Sequence, residues 1–246
     1  MKVYGIIGYP LGHSFSKKYF TAKFEKEGIT GCNYEIFPIQ TIDELRYLLL
    51  QHPELCGLNI TIPHKQSVLS YLDDKTNLPD SLGACNCIKI NNGKLIGYNT
   101  DVTGFEKSLL PQLKNYHSNA LILGNGGAAE AVRFVLNKLK IAFKVVSRKL
   151  HAGSDLTYND LNEEIIKEHL LIINTTPLGT SPGIDECVNI PYQYLTSRHY
   201  LYDLVYNPAT TLFLQKGEEH GVAIKNGYDM LVIQAEESWR IWNHQD

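Results

Sequence analysis

The sequence is poor in the features that mark membrane, extracellular and metal proteins. No stretch approaches the ~20 consecutive apolar residues that cross a bilayer. The opening, Met1-Lys2-Val3-Tyr4-Gly5-Ile6-Ile7-Gly8, reads as a short strand and not as a charged segment leading into an apolar one. No membrane partner is therefore expected, and the expected location is cytoplasmic. The five cysteines are odd in number and contain no C-x-x-C, which predicts reduced thiols. Histidines and cysteines never cluster at ligand spacing, so no metal is expected. Charge of neither sign dominates: the net charge of −3 and the lack of a basic face argue against a nucleic-acid partner. Internal repeats and low-complexity segments are also missing.

What the chain does have is alternation. Strand-like runs at 3–8, 34–38, 57–62, 87–90 and 94–98 are interleaved with helical spacing near 16–27, 42–51 and 64–72, the pattern of an α/β protein. Asn92-Gly93 between the last two strands is a strong hairpin signal. A helix over 101–110 reads as a linker to a second series, with strands at 120–123, 142–146, 170–174, 200–205 and 223–225 and helices near 210–220 and 229–242. In the last helix Leu231, Ala235, Trp239 and Trp242 form one apolar stripe. Two α/β domains are expected, 1–100 completed by 228–246, and 101–227.

The strongest local motif is Ala120-Leu-Ile-Leu-Gly124-Asn125-Gly126-Gly127-Ala128-Ala129. Gly124, Gly126 and Ala129 fit G-x-G-x-x-(G/A) between a buried strand and helical spacing over 130–140, as in a Rossmann-type dinucleotide site. Free amides at the helix start would face phosphates. After the next strand, where an NAD site carries a carboxylate for the ribose, stands Ser147-Arg148-Lys149. Two cations there suit a 2′-phosphate; a solvated basic turn is the competing reading.

A second group of residues lies at strand-to-helix junctions. In Gly8-Tyr9-Pro10-Leu11-Gly12-His13-Ser14-Phe15-Ser16, Ser16 is either a helix N-cap or a ligand contact; Ser14 is not explained as a cap, and His13 reads as a structural hydrogen-bonder. Lys65, after Asn59-Ile60-Thr61-Ile62-Pro63-His64, is expected in the first turn of a helix, where the macrodipole opposes a cation and favours proton exchange. A tolerated surface lysine is the alternative. Asp101 suits helix capping and catalysis equally, and Gln234, beside the apolar stripe, needs a partner.

Taken in order, these segments resemble the shikimate dehydrogenase family over essentially the whole chain. The resemblance rests on Gly8-x-Pro10-Leu11-x-His13-Ser14-x-Ser16, Asn59 to Lys65, Gly83-Ala84-Cys85-Asn86, Gly97-Tyr98-Asn99-Thr100-Asp101-x-x-Gly104, the glycine turn, Asn174-Thr175-Thr176-Pro177-Leu178-Gly179, Asp203-Leu204-Val205-Tyr206-x-Pro208-x-x-Thr211 and Gly227-Tyr228-Asp229-Met230-Leu231-x-x-Gln234-Ala235. It implies two α/β domains around a cleft and NADP-dependent reduction of 3-dehydroshikimate to shikimate in aromatic biosynthesis, by a monomer or homodimer. It implies that Lys65 and Asp101 form the catalytic pair and that Ser14, Ser16, Thr61, Asn86 and Gln234 hold the substrate, with Tyr206 lining the site. Gly124, Gly126, Gly127 and Ala128 would receive the pyrophosphate, Arg148 the 2′-phosphate, and Thr176 and Gly227 the nicotinamide end. Lys17, Cys87, Asn125, Ser147 and Lys149 depart from the family pattern. Alternatives left open are a quinate/shikimate dehydrogenase using NAD or NADP and, in another class, a nucleotide-binding sensor without catalysis.

Overall fold

The computed structural model describes residues 1–12 and 14–244; the expectation for His13 lies outside the described residues, as do 245–246 of the expected first domain. The chain divides into two compact units, Met1–Thr103 with Gln234–Asp246, and Gly104–Ile233.

The first unit runs β1 (Lys2–Gly8), α1 (Phe15–Glu27), β2 (Cys32–Pro38), α2 (Glu44–Gln51), β3 (Leu55–Ile60), β4 (Cys87–Asn91), β5 (Lys94–Tyr98) and the start of α3 (Thr100–Leu109). Its sheet has the order β2-β1-β3-β4-β5, parallel across the first three strands and antiparallel across the hairpin. Asn92 and Gly93 both have positive φ, 50° and 78°, as a two-residue primed turn requires. Alternation along β1 sends Val3 and Ile7 into one cluster with Leu45 and Leu48 of α2, and Tyr4 and Ile6 into another with Phe20 and Phe24 of α1.

The C-terminal helix, Tyr228–Asn243, closes that second cluster with its last turns. Trp242 stacks on Tyr4 at 4.9 Å and donates its indole N–H to Ile88 O at 2.9 Å. A Cβ at Gly57 would lie 2.3 Å from the Trp242 ring nitrogen, so only glycine lets β3 pass beneath the indole. Losing such a buried ring costs about 3 to 5 kcal/mol.

One expected helix is not there. Residues 62–66 form turns, followed by a five-residue 3-10 segment, Ser67–Tyr71. Only Val68 of that segment is fully buried, too little apolar surface to sustain an α-helix.

The second unit contains β6 (Asn119–Leu123), α4 (Gly127–Lys138), β7 (Ala142–Ser147), β8 (Leu156–Thr157), α5 (Glu163–Glu168), β9 (Leu171–Asn174), β10 (Tyr200–Asp203), α6 (Leu212–Glu218) and β11 (Ala223–Lys225), then the start of α7 (Tyr228–Asn243). All six strands pair in parallel, in the order β11-β10-β9-β6-β7-β8. Counted from β6 this is the 3-2-1-4-5-6 arrangement of a Rossmann sheet, with the reversal between β6 and β9. The central strand β6 is apolar from Ala120 to Leu123, all four fully buried, as befits a sheet covered on both faces. β10 stops at Asp203, two residues short of the expected end, because its carboxylate turns inward and accepts from Val205 N, Asn174 Nδ2 and Thr211 Oγ1. β8 and α5 were not legible in the sequence; two and six residues are too few for a period.

Candidate functional site

In the first unit, Ser14 and Thr61 follow the carboxyl ends of the parallel strands β1 and β3, the edge at which open α/β sheets bind ligands. The cap assignment is the reverse of the expected one. Ser14 is the N-cap of α1, its Oγ accepting from Lys17 N at 3.3 Å, because the helix begins at Phe15. Ser16 is instead buried in the first turn, hydrogen-bonded to the Tyr34 hydroxyl.

Lys65 stands on the turn before the 3-10 segment, so the helix-dipole argument for it fails. What it has is a carboxylate: Nζ lies 2.7 Å from Asp101 Oδ2, with both side chains about one-fifth exposed (23% and 18%). The backbone at Lys65 is pinned by Cys85 N donating to Lys65 O at 2.8 Å. Asp101 is not the cap of α3 either. Asn99 Oδ1 accepts from Val102 N at 3.2 Å, and Asn99 Nδ2 donates to Ala84 O at 2.9 Å, which leaves the Asp101 carboxylate to Lys65 at a helix start that favours a negative charge. Burial pushes the neighbouring Cys85 thiol up to about 11, keeping it a neutral S–H and not a nucleophile.

Asn86 and Gln234 meet at Thr100. Thr100 N donates to Asn86 Oδ1 at 2.6 Å, and Thr100 Oγ1 reaches Asn86 Nδ2 at 3.1 Å and Gln234 Oε1 at 3.4 Å. From Thr100 a chain of buried bonds runs through Ser238 (3.3 Å), Asn59 (3.0 Å) and Tyr34 (2.8 Å), and so to Ser16. Burial raises the Tyr34 phenol, so it stays protonated and donates to Asn59 Oδ1. Ser16, Asn86 and Gln234 are thus tied by Tyr34, Asn59, Thr100 and Ser238. Of these connecting residues Asn59 and Thr100 stand in motifs of the sequence without an expected role, and Tyr34 and Ser238 in none; a serine inside the last helix's apolar stretch is the available signal.

In the second unit the crevice lies at the Rossmann reversal. It encloses about 790 Å³ and is lined by Gly124, Asn125, Gly126, Ser147, Arg148, Lys149, His151, Tyr158 and the Thr175–Leu178 turn. Gly124 has φ +106°, and a Cβ there would sit 2.9 Å from Thr175 Oγ1 and Thr176 Cγ2, so the turn demands glycine on two counts. Beside Gly126 and Gly127 a Cβ would meet nothing within 4 Å, and no side chain caps α4 at Gly126. Open space over uncapped amides fits a pyrophosphate. Ala128 follows in the first turn of α4, and the 2′-phosphate reading of Arg148 is served by its place in the lining. Asn174 Oδ1 holds Thr176 through its N–H (3.0 Å) and hydroxyl (2.7 Å). Tyr158, raised to about 12 by burial, closes the crevice as a neutral phenol beside Arg148. Tyr206 and Gly227 belong to this unit but are not among the lining residues; a Cβ at Gly227 would lie 2.1 Å from Leu204 O, a packing reason for glycine there. These residues fit a 2′-phosphorylated dinucleotide.

A Rossmann unit with a glycine turn and a basic loop, joined in one chain to a mixed-sheet unit bearing a lysine–aspartate pair, defines a dinucleotide-dependent oxidoreductase of the two-unit α/β class. Residues 6–88 match the family model of the shikimate dehydrogenase substrate binding domain. A shikimate dehydrogenase (NADP(+)) of Methanococcus maripaludis is 37% identical over 258 residues, covering 98% of this chain and 91% of its own. The chain belongs to the shikimate dehydrogenase family. Among solved structures, a shikimate dehydrogenase in complex with NADP+ superposes with a TM-score of 0.85 at 30% identity, over 98% of this chain and 90% of that one. The shikimate 5-dehydrogenase of Thermus thermophilus, solved with NADP(H) and shikimate, also gives 0.85, at 26% identity over 99% and 94% of the two chains.

Proposed function

We propose that this chain catalyses the reversible, NADP-dependent reduction of 3-dehydroshikimate to shikimate, in the cytoplasm, as a monomer or homodimer. The observation that carries the reading is the Lys65–Asp101 pair at 2.7 Å; Ser14, Ser16, Thr61, Asn86 and Gln234 are the hydroxyls and amides proposed to hold the substrate. Residues 1–100 with 228–246 are the proposed substrate-binding part, and 101–227 the NADP-binding part, with Tyr206 lining the substrate and Thr176 and Gly227 serving the nicotinamide end.

Gly124, Gly126, Gly127 and Ala128 would hold the pyrophosphate and Arg148 the 2′-phosphate. When bound, the cofactor supplies hydride chemistry. Lys65 Nζ holds the proton that goes to the carbonyl oxygen at C3 on reduction and takes it back on oxidation. Asp101 fixes the rotamer of Lys65 and keeps its ammonium paired until substrate arrives, while the amides and hydroxyls orient the ring.

NADP reduction measured with shikimate and with quinate, each also with NAD, tests the proposal. Turnover with shikimate and NADP, well above that with NAD, is expected. Turnover with quinate as well as shikimate would favour the broader dehydrogenase, and NADP binding without turnover on either substrate would favour a sensor.

A further inference from the structure

Behind the glycine turn lies a guanidinium with no role in the proposed reaction. Arg133 lies in the second turn of α4, and its Nη2 donates both to Asn125 Oδ1, in the glycine turn, and to Gly153 O at 2.9 Å, in the excursion between β7 and β8. Asn125 Nδ2 in turn faces His151 Nδ1 at 3.3 Å. Gly153 has φ +87°, and a Cβ there would stand 3.3 Å from Asn125 Nδ2, so the excursion is pressed against the glycine turn at this point. Arg133 Nε is buried with no partner. Both of its bonded acceptors are neutral oxygens, so among the described residues this half-buried cation is balanced by no carboxylate.

The excursion is the segment that carries Arg148 and Lys149. Its internal bonds are local: Ser147 Oγ to Lys149 O, and His151 N to Ser154 Oγ. Asp155 then rejoins the sheet edge, its N–H bonding Val145 O. Between Ser147 and Asp155 it is tied to α4 and the glycine turn by Arg133 and Asn125. A planar fork with two fixed donors suits such a bridge, since it spends little side-chain freedom per bond.

We infer that Arg133, with Asn125 as its acceptor, is a positioning residue that holds the Arg148 loop against the glycine turn and thereby sets the discrimination for a 2′-phosphorylated dinucleotide. The inference rests on the proposed NADP site. A loop left free must be ordered at binding, and that cost falls on the contact the loop makes, the 2′-phosphate, and not on the pyrophosphate held by backbone amides.

The test is Arg133→Met in the full chain, with Arg148→Ala and the double variant alongside. The probes are adenosine 2′,5′-bisphosphate and 5′-AMP by calorimetry, and kcat and KM with NADP and with NAD. Arg133→Met should weaken the bisphosphate about 5- to 20-fold, leave 5′-AMP within about twofold, and raise KM for NADP with little change in kcat. In the Arg148→Ala background the same substitution should add less than about twofold. Equal weakening of both probes would show a general structural role and overturn the inference. Losses that multiply in the double variant would make Arg133 a direct phosphate contact and overturn it too. If Arg148→Ala itself leaves the preference for the bisphosphate unchanged, the NADP-site reading fails, whatever Arg133 does. Should Arg133→Met not fold, Asn125→Ala removes the acceptor and is read in the same way.

Discussion

The second unit builds its crevice from three neighbouring strand ends, with Gly124, Arg148 and Thr176 one or two residues beyond β6, β7 and β9. The first unit gathers Ser16, Lys65, Asn86, Asp101 and Gln234 from five separate segments and ties most of them through buried side chains. In the second, parallel register and backbone amides do the positioning, as in Gly124 N to Val146 O and Thr175 N to Leu123 O. In the first, side-chain bonds do. Substitutions in the crevice should therefore change what binds, whereas substitutions in the first unit's site should change whether the chemistry proceeds.

The largest effect is expected at Lys65. Lys65→Met keeps the stem and removes the proton, and turnover should fall about 10²- to 10⁴-fold with far less change in shikimate affinity, the range for a positioned acid or base. A loss confined to KM would move Lys65 from chemistry to binding and erase the contrast between the units.

A stability effect belongs to the second unit. Burial raises Asp203 to about 6, against the opposing pull of its bonds from Thr211, Val205 and Asn174. The group is fully buried, and its folded value lies above its unfolded one. The folded state then holds the extra proton between about pH 4 and 6, and this contribution, on the order of 3 kcal/mol, is present below pH 4 and lost as pH rises through about 6. Urea unfolding of the parent and of Asp203→Asn across that range checks it: the parent's stability relative to the variant should decline as pH rises. A difference that stays constant with pH would mean that Asp203 ionises normally in the fold.

At the crevice, Arg148→Ala should lower the ratio of NADP to NAD efficiency by about one to two decades, the worth of a charge-assisted contact of roughly 1.5 to 3 kcal/mol. An unchanged ratio would place the phosphate elsewhere. The smallest effect is at Ser14, which caps α1. Ser14→Ala should cost about 1 kcal/mol in thermal or chemical unfolding. If it also holds substrate, KM for shikimate rises while KM for NADP does not; a purely stability-related loss would leave it a cap alone.

The same contrast explains what could be read in the sequence. Strand, glycine turn and helix are contiguous, so the crevice was legible from ten residues, and the Asn92-Gly93 hairpin from two. The caps lie two positions before the candidates, at Ser14 in place of Ser16 and at Asn99 in place of Asp101, because a cap depends on where a helix starts, which tertiary packing decides. Lys65 was singled out by an argument from a helix that does not form; its value lies in Asp101, 36 positions away. Asn59 and Ser238 are 179 positions apart, and no local pattern reports a bond of that span.

The most direct test of proton transfer by a coupled Lys65–Asp101 unit is the turnover of Lys65→Met, Asp101→Asn and the double variant with shikimate and NADP. Each single substitution should impair turnover, and the double should be scarcely slower than the poorer single, because removing either member already disables the pair. Losses that multiply, or a Lys65→Met enzyme within a few-fold of the parent, would contradict it.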